Sequence, residues 1–143
     1  MTRPIAGAAA AFFLAAAAPA HAVEPQPGQW QTTVRTQVSG AAPREISHMR
    51  CVTPEMIKDP ERTFMRDDAG AQRDCKRSFT KGESTLSWTV VCNGQITMNG
   101  AGSMTFDSPT HYTGAFKVVG KADDQTFEID TQMEGERIGD CAQ

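Results

Sequence analysis

Alternation at period two runs through most of this chain and constrains its fold more than any other feature. In WQTTVRTQV, residues 30–38, Trp30, Thr32, Val34, Thr36 and Val38 fall on one side, and Gln31, Thr33, Arg35 and Gln37 on the other. QITMNGAGSMTF sets Ile96, Met98, Met104 and Phe106 on one face. HYTGAFKVV alternates Tyr112, Phe116 and Val118 with His111, Thr113 and Lys117, and TFEIDTQMEGERI alternates Phe127, Ile129 and Met133 with Glu128, Asp130, Gln132 and Glu134. Successive side chains of a strand point to opposite faces, so each segment reads as a strand with one buried and one wet face.

Turn signals separate these segments. They are GAAP at 40–43, Lys81-Gly82-Glu83, Asn93-Gly94, DSPT at 107–110 and GKADDQ at 120–125. Asn93-Gly94 is a strong two-residue hairpin signal, because both central positions of that turn need positive φ. REISHMRC, CKRSFT and STLSWTVVC supply the remaining strands. About seven strands joined mostly by tight turns predict an all-β fold, an antiparallel meander that is strongly curled or closed halfway into a barrel. Gly100, Gly102, Gly114 and Gly135 lie on the inward face, where glycine marks a bend or a close backbone approach.

One short helix is expected, in the 52–74 linker. Thr53 suits the cap, Pro54 the first turn and Glu55 the positive dipole end, and Pro60 is expected to stop it. The charged stretch 61–74 reads as a loop with at most one further helical turn.

The first 22 residues, MTRPIAGAAAAFFLAAAAPAHA, have the form of a cleaved secretory signal peptide: one early charge at Arg3, an apolar run from Ile5 to Ala18, and a small-x-small end at Ala20-His21-Ala22. The run is shorter than the roughly 20 residues that span a bilayer. Residues 23–143 then form one domain, expected in the periplasm with no transmembrane segment. Net charge is −3, and −4 once the leader removes Arg3. An acidic chain with Lys76-Arg77 as its one basic doublet argues against nucleic acid.

All four cysteines, Cys51, Cys75, Cys92 and Cys141, follow the leader, and none forms a C-x-x-C. An even count in a small exported domain predicts two disulfides over a zinc site or a redox pair. Strand counting favours Cys51–Cys141 and Cys75–Cys92 if the linker crosses from one end of the sheet to the other. The last strand is then antiparallel to the first. A hairpin centred on Gly82-Glu83 would set Cys75 opposite Val90, with Cys92 a diagonal neighbour. A linker that stays at one end would leave Cys141 alone, so at this level the pairing stays open.

The ordered set PGQW at 27–30, CVTPE at 51–55, Cys75, SWTVVC at 87–92, YTG at 112–114 and RIGDC at 137–141 resembles the bacterial exported family known as domain of unknown function 3617. The resemblance spans residues 23–143. Gln29 and Glu136 depart from it, standing where leucine and lysine are common. It implies an envelope protein of a Gram-negative bacterium and carries over no activity and no catalytic residue.

The residues themselves offer little catalytic machinery. There is no G-x-S-x-G. His48 and His111 fall on separate weak strands and read as surface histidines. Asp67-Asp68 and Asp123-Asp124 lack the converging oxygens of a calcium loop and read as solvated. Met98, Met104 and Met133 are soft donors suited to copper(I), but methionine more often fills irregular cores. Trp30, Trp88, Tyr112, Phe116 and Met98 form a possible pocket for an apolar ligand. In so small a barrel, filling by side chains is favoured over a void. The chain is therefore expected to be a monomeric binding module for a small apolar or envelope ligand, not an enzyme, with no metal or cofactor. The alternative is a structural or accessory envelope protein that acts on a protein partner through its surface.

Overall fold

A computed structural model describes residues 22–64 and 75–142. All but Ala22 of the expected leader, and most of the 61–74 stretch, lie outside them. Seven strands form one antiparallel sheet: β1 (Gly28–Val38), β2 (Arg44–Val52), β3 (Cys75–Lys81), β4 (Thr85–Asn93), β5 (Ile96–Ser108), β6 (His111–Ala122) and β7 (Gln125–Gly139). Their order across the sheet is β2-β1-β7-β6-β5-β4-β3. The first strand pairs with the last, from Gln29 opposite Gly139 to Val38 opposite Ile129. The β3-to-β7 meander is therefore continued by β1, and β2 is added outside it. The sheet stays open between β2 and β3, its two edges.

Burial follows the alternation. On β5 the even-numbered residues from Met98 to Phe106 are buried or half-buried and the odd-numbered ones exposed. Even residues also face inward on β4 and β6, and odd residues on β7. The inward glycines accept rings from neighbouring strands. A Cβ on Gly102 would stand 2.4 Å from the Trp88 ring, and one on Gly135 2.1 Å from the Tyr112 ring. Gly102, Gly114 and Gly135 step diagonally across β5, β6 and β7, two residues of register per strand. The Trp88 ring, the Met133 side chain and the Tyr112 ring take the space over these three glycines, and the sheet curls around them.

Two hairpins differ from the sequence expectation. Lys81 pairs with Leu86 and the Gly82 N–H donates to the Thr85 carbonyl, so the β3–β4 turn is centred on Glu83-Ser84. Moving a turn centre by one residue moves each partner by two, and Cys75 lies opposite Cys92 instead of Val90. Asn93 pairs with Thr97, so the β4–β5 turn begins after it. Among the described residues the only non-glycine with positive φ is Asp123, at 52° in the two-residue β6–β7 turn.

The linker holds two short helices instead of one, α1 (Pro54–Ile57) and α2 (Pro60–Phe64). Thr53 Oγ1 accepts from the Met56 N–H at 3.4 Å, and Asp59 Oδ1 accepts from the Arg62 N–H at 3.1 Å. Pro60 starts a helix because proline fits the first helical position, where no N–H is needed. Residues before a proline avoid helical geometry, which is why α1 has ended by Ile57.

Disulfides join Cys51 to Cys141 and Cys75 to Cys92, with Cα atoms 5.4 and 4.0 Å apart. Val52 lies opposite Gly28 at one end of the sheet, whereas the Cys75–Cys92 row runs through Met98 and Gly120 to Phe127 at the other. The chain thus changes ends between β2 and β3, which brings Cys141 to Cys51. PGQW, CVTPE and RIGDC meet at that end, where Trp30 is flanked by Arg50 and Arg137. Arg137 holds the entry of β1 by donating from Nε to the Pro27 carbonyl at 2.7 Å and pairing with Asp140.

Candidate ligand cavity

The concave side is incompletely filled. A cavity of about 690 Å³ lies between the curled sheet and the linker. Its wall includes Val34 and Arg50 from the β1–β2 side, Phe79 and Trp88 from the β3–β4 side, and Phe64 from α2. Residues of both free edges face one space, which shows how far the sheet curls. The expectation that side chains fill the interior is thus corrected. An open seam between β2 and β3 leaves room that a closed barrel of this size would lack. The volume falls in the range of small-molecule sites, roughly 300–1,000 Å³.

Trp30, Trp88, Tyr112 and Phe116 all line this cavity, in two groups. In the first, Trp30 stacks on Tyr112 at 5.7 Å between ring centroids, and Phe64 meets both edge-on at 5.8 and 5.5 Å. Trp30 donates from Nε1 to the Gln26 carbonyl, which satisfies its one polar atom. The Tyr112 ring crosses Gly135 and its hydroxyl meets Thr32 Oγ1 at 2.9 Å. Burial pushes the Tyr112 phenol above its ordinary value, and the Thr32 hydrogen bond opposes that in part. In the second group Trp88 and Phe116 lie 5.8 Å apart across Gly102.

Met98 is not part of this wall. Its register row is Cys92–Met98–Gly120, near the far end of the sheet, which removes it from the pocket. Met104 is fully buried, while Met133 lies over Gly114 and does line the cavity. Among the described residues no three His, Cys, Asp or Glu side chains group as a metal site.

Several cavity residues were missed in the sequence. Arg50 and His48 point inward from β2, directly across from Trp30 and Thr32. The Arg50 guanidinium donates to the Thr63 carbonyl at 2.5 Å and ties the end of α2 to the sheet. Thr63 is buried and its hydroxyl donates to the Met56 carbonyl, so the linker is packed against the rings. The available signal was parity: Val52 is apolar, and His48 and Arg50 share its face. Phe79 was legible likewise, from sharing a face with Cys75.

His111 lies on the convex side, away from the cavity. Nδ1 lies 2.8 Å from the Asp107 carboxylate and Nε2 3.0 Å from Glu134 Oε1, and the protonated ring donates to both. These hydrogen bonds, to Glu134 first and then Asp107, raise its pKa above 6.5.

Among the described residues no helix is long and apolar enough to cross a membrane. No curated protein and no solved structure matches the chain. A family model described as protein of unknown function (DUF3617) matches residues 25–141, from just before PGQW to the cysteine of RIGDC. The chain therefore belongs to the DUF3617 family.

Proposed function

We propose that this protein is a periplasmic, monomeric, non-enzymatic binding module that holds a small apolar ligand on the concave face of its sheet. The observation that carries the reading is the cavity of about 690 Å³ with Trp30, Tyr112, Trp88 and Phe116 on its wall. Burying an apolar ligand against such rings gains roughly 25 cal/mol for each Å² removed from water. The rigid sheet behind them means that little has to be ordered on binding. Two disulfides and the leader-like first 22 residues support export to an oxidising compartment.

A second reading, an accessory envelope protein working through its surface, draws on one feature. β2 is a free edge strand, and Ile46 and Met49 on it are 62% and 66% exposed. An open edge with apolar side chains suits strand addition by a protein partner.

Native mass spectrometry of protein purified without detergent from its own periplasm separates the two. The ligand reading expects a one-to-one adduct of small-molecule mass that organic solvent extracts. A bare polypeptide that instead copurifies with a second protein would favour the surface reading.

A further inference from the structure

We infer that the cavity takes a single-chain amphiphile with an anionic headgroup, its head on Arg50 and its chain along the aromatic wall. This rests on the binding reading above and names the ligand class for the same site. Arg50 is half-buried on the cavity wall, beside Trp30. One of its N–H groups is taken by the Thr63 carbonyl. Among the described residues no carboxylate forms an ion pair with it. A guanidinium has five N–H donors and stays charged at every relevant pH. Half-burying it without a counter-ion is unfavourable, and a carboxylate or phosphate seated there relieves that while accepting two parallel hydrogen bonds.

The neighbourhood suits a headgroup. His48 lies two residues along the same face, opposite Thr32, whose hydroxyl meets that of Tyr112. Arg62 and Arg77 also border the cavity, as do Asp59 and Glu61. Asp59 is turned to its own helix, accepting from the Arg62 N–H. Trp88, Val90, Phe116 and Met133 offer apolar surface for a chain that leads away from Arg50. One polar pole and one apolar wall in a single space fit an amphiphile better than a wholly apolar ligand.

The test is competition against a neutral fluorescent probe, N-phenyl-1-naphthylamine, by dodecanoate, dodecyl phosphate and dodecanol. One or both anions should displace the probe at concentrations on the order of 10- to 100-fold below dodecanol, the range of a charge-assisted hydrogen bond. Comparing the two anions ranks carboxylate against phosphate. Arg50→Gln should erase the anion advantage and still take up the neutral probe, and Arg50→Lys should keep part of the advantage. The wild-type comparison stands even where Arg50→Gln folds poorly through loss of its Thr63 link. Normal probe uptake with dodecanol as good as either anion overturns this inference alone, as does an anion advantage that survives Arg50→Gln. Failure of the wild type to bind the neutral probe overturns the binding reading beneath it.

Discussion

Replacing Cys51 and Cys141 together by serine should destabilise the domain by about 4–5 kcal/mol, almost all of it through the unfolded chain. The two cysteines are 90 residues apart, against 17 for Cys75 and Cys92. Loop-closure entropy for the longer separation is about 4.6 kcal/mol at 25 °C, against about 3.1 kcal/mol for the shorter. Cys51 is exposed and Cys141 half-buried, so the folded state loses little packing when both become serine. Removing the inner pair is different in kind, because Cys92 is only 2% exposed and a packing loss adds to the smaller entropy term. Similar total losses would then have different origins, which the dependence on denaturant separates. Freeing a 90-residue loop expands the unfolded chain, so the urea m value should rise clearly for the outer pair and little for the inner pair. Equilibrium unfolding followed by tryptophan fluorescence reads both quantities. A loss under about 1 kcal/mol with an unchanged m value would refute the reasoning, since small exported domains usually lose about 2–5 kcal/mol with a native disulfide.

Three further outcomes are expected. Thr53→Ala removes the acceptor for the Met56 N–H and should cost about 1 kcal/mol, with Pro54→Ala costing less; a larger loss for the proline change in urea titrations would contradict the capping account. Gly102→Ala drives a methyl into the Trp88 ring and towards the Ala115 carbonyl and should cost about 1–3 kcal/mol, with altered near-UV dichroism; a neutral result would mean that the ring does not lie on the strand. His111 has its pKa raised in the folded state by Glu134 and Asp107, so its stabilising contribution is full below about pH 6.5 and is lost as pH rises through the folded value. The stability difference between wild type and His111→Gln should therefore shrink between pH 6 and pH 9, and a constant difference would show that those contacts do not form.

The sheet was legible because alternation is a direct record of its two faces. Trp30, Trp88, Met104 and Tyr112 are buried as their parity requires. Turn centres were less legible, because one residue separates Gly82-Glu83 from Glu83-Ser84 and local composition does not choose between them. The strand that followed could pair either way until Cys75 and Cys92 fixed it. Asp59-Pro60-Glu61 repeats the cap, proline and acid of Thr53-Pro54-Glu55, and reading Pro60 only as a breaker concealed the second helix. The cavity was the least legible feature. It depends on β2 and β3 facing each other without pairing, a relation between edges that no local pattern encodes. Arg50 went unnoticed for a related reason, since its meaning comes from standing beside Trp30 in a space that the sequence suggested was filled.

The central claim is that the space behind Trp88 and Phe116 is a binding site. It is tested most directly by titrating N-phenyl-1-naphthylamine into wild type and Val90→Trp. Val90 lines the cavity on the strand that carries Trp88, so an indole there fills the space from the sheet side. Saturable one-to-one binding to wild type, lost in a Val90→Trp variant that still unfolds cooperatively, is the predicted result. No saturable binding to wild type, or equal affinity in the two proteins, would contradict it.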